Sequence, residues 1–192
     1  IKICMSLRDE RQKEFANTWL DHGRFGILNL CPRFGKIYTT INALEQLPPH
    51  SSILIAYPDL KIKESWETDF ERREYNNPNI TYTTHLSLHK YTEYDFDVII
   101  IDEIHLLSEA QIEAAKELIE HNDCVLGLTG TLSKWTEETL NRELGLFVVA
   151  EYPIEQAIEE GVIVNYEITV VRTPLDNVQK QNYKGKLRTE KH

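Results

Sequence analysis

Five short apolar runs punctuate an otherwise polar chain: 26–31 (GILNLC), 52–57 (SILIAY), 79–83 (NITYT), 97–102 (DVIIID) and 124–129 (CVLGLT). They are rich in Ile, Val and Leu and mostly continuous rather than alternating, as strands covered on both faces should be. Between them apolar positions recur at helical spacing. The segment 9–22 sets Phe15 and Trp19 four apart and ends before Gly23, a helix-terminating glycine. The segment 35–47 aligns Ile37, Ile41 and Leu44 on one stripe and stops at Pro48-Pro49. A third helix, 59–75, is long and charged, with Leu60, Trp66 and Phe70 as anchors. The fourth, 108–121, opens with a capping box, Ser108 and Gln111, and turns Ile112, Ala115 and Ile119 inward. The fifth, 153–160, has a first-turn proline and a terminal Gly161. Strands alternating with helices predict an α/β domain, a parallel sheet with helices on both faces and ligands at the carboxyl ends of its strands. After Gly161 the pattern changes. An alternating strand is expected over 166–172, and 173–192 is polar, Lys-rich and without a core face, as in a linker or the start of a further domain.

A length of 192 residues suits one well-cored domain, and an opening Ile1 in place of Met fits a piece of a longer chain. No apolar run approaches the ~18 residues that span a bilayer, and no signal-peptide core is present, so no membrane partner is expected. Cys4, Cys31 and Cys124 are odd in number and far apart. They make neither a disulfide framework nor a metal-ligand set, which suits a reduced, cytoplasmic setting. A formal charge of −10 argues against a protein whose whole surface binds nucleic acid, but leaves room for a local basic track.

Two stretches carry chemistry. Leu30-Cys31-Pro32-Arg33-Phe34-Gly35-Lys36-Ile37 leaves a predicted strand and opens a predicted helix. At such a junction backbone N–H groups face a phosphate, Gly35 allows close approach and Lys36 reaches the β/γ oxygens. The full phosphate-loop pattern wants Gly at Leu30 and Ser or Thr at Ile37. That hydroxyl normally ligates Mg²⁺, and Thr39 and Thr40 are rotated ~200–300° from the position. A strand–turn–helix junction with a surface lysine would read the same way. The second stretch, Val98-Ile99-Ile100-Ile101-Asp102-Glu103-Ile104-His105, ends a strand in adjacent carboxylates. There Asp102 can hold Mg²⁺ through water and Glu103 can orient and deprotonate an attacking water. Alone, the pair could also be a helix N-cap cluster.

Asp102-Glu103-Ile104-His105 resembles the DExH form of motif II in superfamily 2 helicases, and other motifs of that family follow in order. Gly35-Lys36 resembles the end of motif I. The run 53–58, with Trp66 beyond it, resembles motif Ia, 83–88 (TTHLSL) motif Ib, and 128–131 (LTGT) motif III. Gln12 is similar to the glutamine that reads adenine, with Arg8 one residue off the commonest spacing. The segment 154–166 resembles the exit from the first motor domain of DNA-directed members. The resemblance implies a RecA-like P-loop NTPase domain over 1–165, with 166–192 a linker or the beginning of a second RecA-like domain.

It implies ATP and Mg²⁺ as cofactors and Lys36, Asp102 and Glu103 as catalytic residues, with Asp102 on the metal through water. The nucleotide would meet Gln12, Pro32, Arg33, Phe34, Gly35, Lys36 and Ile37. His105, Thr129 and Thr131 would couple its state to the track, and Pro58, Lys61, Thr84 and Ser87 would touch nucleic acid, DNA rather than RNA. The phage-type or restriction-type branch fits the Pro-Arg-Phe-Gly-Lys loop. Such a motor is cytoplasmic, in a host's cytoplasm if viral, or nucleoid-associated. No arginine-finger motif follows Tyr166, so the implied motor needs the second domain of its parent protein. The alternative is a helicase-like nucleic-acid-binding module with weak or absent ATPase activity, which Ile37 would allow. Thr129 and Thr131 could simply close a strand, Thr84 and Ser87 could be turn hydroxyls, His105 a helix-start histidine, and Trp66 core. Arg72-Arg73 could be a solvated face or, with Lys61 and Lys63, the basic track.

Overall fold

A computed structural model describes residues 6–164. The strands are β1 (Phe25–Leu30), β2 (Ile53–Tyr57), β3 (Ile80–Thr84), β4 (Val98–Ile101), β5 (Val125–Thr129) and β6 (Val148–Tyr152). The helices are α1 (Leu7–Asp21), α2 (Lys36–Leu44), α3 (Leu60–Arg72), α4 (Glu109–Ile119), α5 (Lys134–Leu144) and α6 (Ile154–Glu159), with 3₁₀ turns at His85–Lys90 and Ile104–Leu106. The strands form one sheet in the order β3-β2-β4-β5-β1-β6, and every pairing is parallel.

Period-2 alternation splits the sheet between two cores. Ile53, Ile55, Val98, Ile100 and Leu28 face a core closed by α1, α2, α3 and α6. Leu54, Ala56, Ile99, Ile101 and Ile27 face the core under α4 and α5. Both faces are therefore dry, and each fully buried Ile or Leu contributes roughly 1.5–3 kcal/mol. The predicted α/β architecture stands. The sixth strand and α5 had no counterpart in the sequence reading. β6 is half-exposed at the sheet edge although 146–150 (LFVVA) is an apolar run like those of the other strands, and α5 turns only Leu140 and Leu144 fully inward. Helix α1 starts earlier than expected because Ser6, not Asp9, is its N-cap; Ser6 and Asp9 form a capping box. The expected strand 166–172 and linker 166–192 lie outside the described residues. Among those residues no helix is long and apolar enough to cross a membrane.

Candidate nucleotide site

β1, β4 and β5 are neighbours in the sheet and end at one edge, so the loops that follow them converge. After β1 the chain turns through Arg33 at φ 65° and Gly35 at φ 102°, then enters α2 at Lys36. Glycine is required at 35 for two reasons. The left-handed backbone disfavours a side chain, and a Cβ there would stand 2.5 Å from Gln12 Nε2. Gly130, after β5, is also a close-approach position, since its Cβ would meet the Leu30 carbonyl oxygen at 3.0 Å.

The phosphate-loop residues divide by role. Lys36 carries the charge and its ammonium meets Glu103 Oε1. Pro32 has no N–H to offer a ligand. The Phe34 ring is fully buried, edge-on to Phe15 and Tyr152, so only its backbone faces the loop. Its carbonyl accepts from Gln12 Nε2 at 2.9 Å. Ile37 packs against the core beneath α2. Thr39 and Thr40 are buried and donate to the Gly35 and Lys36 carbonyls at 3.2 and 3.0 Å, so neither replaces the hydroxyl absent at 37.

After β4 both Asp102 oxygens are engaged: Oδ2 accepts from Trp66 Nε1 at 3.0 Å and Oδ1 from the Glu103 N–H at 3.0 Å. The Asp102 carbonyl accepts from His85 Nε2 at 2.9 Å. Burial pushes the Asp102 carboxyl above the usual carboxylate range, while Lys36 and the Trp66 bond pull it back. Burial likewise pushes His85 down, which keeps the ring neutral with its proton on Nε2. Glu103 sits in the left-handed region at φ 49°. That bend aims its carboxylate at Lys36 on one side and at His105 Nδ1, 3.4 Å away, on the other.

His105 closes the chain of contacts. Its Nδ1 lies 2.9 Å from Thr129 Oγ1 and its Nε2 3.4 Å from Thr131 Oγ1. Thr129 Oγ1 donates to the Thr131 carbonyl at 3.2 Å. Its lone pairs then take the imidazole proton, which assigns His105 as the neutral Nδ1–H tautomer with Nε2 accepting from Thr131. Burial, first among the influences on His105, lowers its pKa and agrees with that assignment.

The remaining expected residues lie further along the edge. Pro58 follows β2, and Lys61 is exposed in the first turn of α3, its N–H bonded to the capping Asp59 at 2.8 Å. Thr84 ends β3 and Ser87 lies in the 3₁₀ turn after it. Arg72-Arg73 does not join Lys61 and Lys63 in a track: it sits at the far end of α3, ~13 Å from Lys63 along the axis, lining a cavity with Gln12. Trp66 belongs to the core rather than to a stacking platform. Its hold on Asp102, and that of His85, went unread because a buried Trp or His shows no partner in sequence.

An ATP fit is supported by that cavity of about 430 Å³, lined among others by Arg8, Gln12, Arg33, Gly35 and Tyr38. Gln12 is 3% exposed, and its Oε1 is a buried side-chain oxygen without a hydrogen-bond partner. An orphaned acceptor beside a glycine loop and a lysine suits a ligand bearing both an amine and phosphates. Magnesium fits more loosely. Among the described residues no group of three or more His, Cys, Asp or Glu could hold an ion. Each Asp102 oxygen keeps one free lone pair, which matches a contact through water.

A family profile described as the type III restriction enzyme, res subunit, matches residues 80–134, from β3 to the first residue of α5. No curated relative matches the sequence. The SWI2/SNF2 ATPase core of Sulfolobus solfataricus in complex with dsDNA is similar with a TM-score of 0.56 at 18% identity, over 98% of this chain and 44% of that one. The UvsW helicase from Bacteriophage T4 gives 0.56 at 18% identity, over 77% and 59%. The Pyrococcus furiosus Hef helicase domain gives 0.57 at 15% identity, over 77% and 39%. At such identities the likeness is one of fold. This chain spans less than two thirds of each of these structures.

Proposed function

We propose that this RecA-like domain, of the superfamily 2 helicase type, is the first ATP-binding motor domain of a DNA helicase or translocase of the phage or restriction branch. The reading is carried by one observation: Lys36, Glu103, His105, Thr129 and Thr131, from three strand ends, form one continuous polar chain. Lys36 presents a fixed charge to the β/γ phosphates, Gly35 lets the backbone close on them, and Gln12 Oε1 accepts from the base. Magnesium, when bound, would neutralise phosphate charge, with Asp102 holding it through water.

Lys36 and Glu103 now pair with each other. Phosphate oxygens compete for Lys36, and a released Glu103 can orient and deprotonate water. His105 touches Glu103 and both threonines, so a change at Glu103 reaches the loop after β5. Pro58, Lys61, Thr84 and Ser87 would meet the DNA backbone farther along the same edge. A second RecA-like domain of the parent protein would supply the arginine finger, an effect of ~10³–10⁵ in rate. Such a motor works in the cytoplasm, or in a host's cytoplasm if viral. A second reading, a nucleic-acid-binding module with weak ATPase activity, is favoured by Ile37, which sets a half-buried apolar side chain where magnesium's hydroxyl ligand would stand.

Calorimetric titration of the chain with Mg²⁺-ATP tests both readings. The motor reading expects binding that Lys36→Ala abolishes. Glu103→Gln should preserve binding and eliminate DNA-stimulated hydrolysis in the parent protein. Salt-sensitive binding of single-stranded DNA with no ATP binding would replace the motor reading with the module.

A further inference from the structure

The sheet ends in two edge strands, β6 and β3, and they are built differently. On β6, Val149 is an extra residue against β1, where the pairing passes from Ile27–Val148 to Leu28–Ala150, and Glu151 puts a charge on the strand. Bulges and charges both guard an edge against further pairing. β3 has neither. Its five residues, Ile-Thr-Tyr-Thr-Thr, pair with β2 in unbroken register and include no charge and no proline. The Ile53 N–H donates to the Asn79 carbonyl at 3.0 Å. In a parallel ladder Thr81 and Thr83 then turn their backbone groups to β2, and Ile80 and Tyr82 turn theirs outward. Among the described residues no strand pairs on that side.

The outward residues also wall a cavity of about 540 Å³ beside the end of α3. Opposite Ile80 and Tyr82 stand Glu67 and Glu71, one helical turn apart, and Glu74 just beyond the C-cap. Among the described residues no Lys, Arg or His lines this cavity. Its rim shows which charge it takes. Lys63 Nζ lies 3.3 Å from Glu67 Oε1 and 5.5 Å from the centroid of the Tyr82 ring. A carboxylate and a ring face together suit an ammonium or a guanidinium.

We infer that β3 accepts an extended, Lys- or Arg-bearing segment of a protein partner as an added strand, with the basic side chains of that segment in the α3 cavity. Main-chain pairing supplies the affinity of such an addition, and alternate side chains supply its selectivity. Charge decides the occupant. Two copies of this chain meeting edge to edge would set their α3 glutamates against each other, at a formal charge of −10 each. Nucleic acid would bring phosphates to the same carboxylates. None of these residues belongs to the nucleotide site, so the surface stands whether or not the chain binds ATP.

Three short peptides decide the matter when titrated into the full chain: alternating lysine and valine, its counterpart with glutamate for lysine, and the lysine peptide fully N-methylated. The lysine peptide should bind and slow amide hydrogen exchange at Ile80 and Tyr82, and the glutamate peptide should not bind. N-methylation removes the backbone donors and should weaken binding by about tenfold or more. Glu71→Gln together with Glu74→Gln, both exposed, should weaken the lysine peptide by roughly threefold to tenfold. Equal binding of the N-methylated peptide would reduce the site to a charge contact and overturn the added strand. Unchanged affinity in the double variant, or no binding of the lysine peptide to the wild-type chain, would overturn the basic partner. Ile80 and Tyr82 amides already protected in the free chain would show the edge covered by the chain itself or by a second copy, and would overturn it as well.

Discussion

Asp102 and Glu160 are both carboxylates at the centre of a polar network, and their surroundings push them in opposite directions. Glu160 follows α6 and accepts four hydrogen bonds, from Arg11 Nε and Nη2 at 2.9 and 2.7 Å, Tyr152 at 2.9 Å and Gln156 at 2.9 Å. These contacts, Arg11 first, hold its pKa down at about 2. Burial hardly opposes them, so the result is a permanent anion that ties α1 to the β6–α6 end of the domain. At Asp102, 5% exposed, burial leads and Lys36 and Trp66 work against it. A surface clamp can gather hydrogen bonds in one direction. A buried carboxylate is held between opposed influences, and a ligand cation nearby can tip it.

Removing the indole from the buried network should have the largest effect. Trp66→Ala should cost about 3–5 kcal/mol in denaturant unfolding. Trp66→Phe should cost about 1–3 kcal/mol, because Asp102 Oδ2 loses its donor. A neutral Trp66→Phe would mean that Asp102 does not depend on that bond. Next, Gly35→Ala forces a left-handed alanine onto Gln12 and should cost about 1–3 kcal/mol while nucleotide binding falls further than stability does.

The clamp is tested by acid. A folded-state pKa near 2, below the ordinary 4.5, stabilises the domain above about pH 4.5 and loses that contribution as pH falls toward 2. Glu160→Gln should therefore flatten the acid limb of thermal unfolding over that window, and an unaltered limb would deny Glu160 its role. The smallest change is expected from Ile37→Thr, which offers a hydroxyl at the junction. It should tighten Mg²⁺-dependent ATP binding by about threefold to tenfold; equal affinity with and without the substitution would show that the position does not face the ion.

The buried half of this contrast was legible in the chain. The run Val98–Ile101 is apolar enough to be a strand covered on both faces, so the acids after it had to emerge at a sheet edge. Gly35-Lys36 and Thr129–Thr131 could be placed at neighbouring edges by the same reasoning. The Glu160 clamp was not legible, because Arg11 and Glu160 are 149 residues apart and each looks like any solvated charge. Arg73 and Tyr38 were opaque for the same reason: α3 had to fold back on α2 before a surface arginine became the wall of a cavity.

Local physics therefore settled five of the six strands, the two-faced core and the order of the site's loops along the chain, since burial on both faces and turn chemistry leave marks in short windows of sequence. Tertiary structure alone decided what those loops touch. Trp66 and His85 hold Asp102, Gln12 is left with one unpaired oxygen, and Ile37 rests half-buried against the core at the junction. Contacts of this kind depend on the direction of individual side chains across distant strands and helices, and a one-dimensional pattern does not encode that direction.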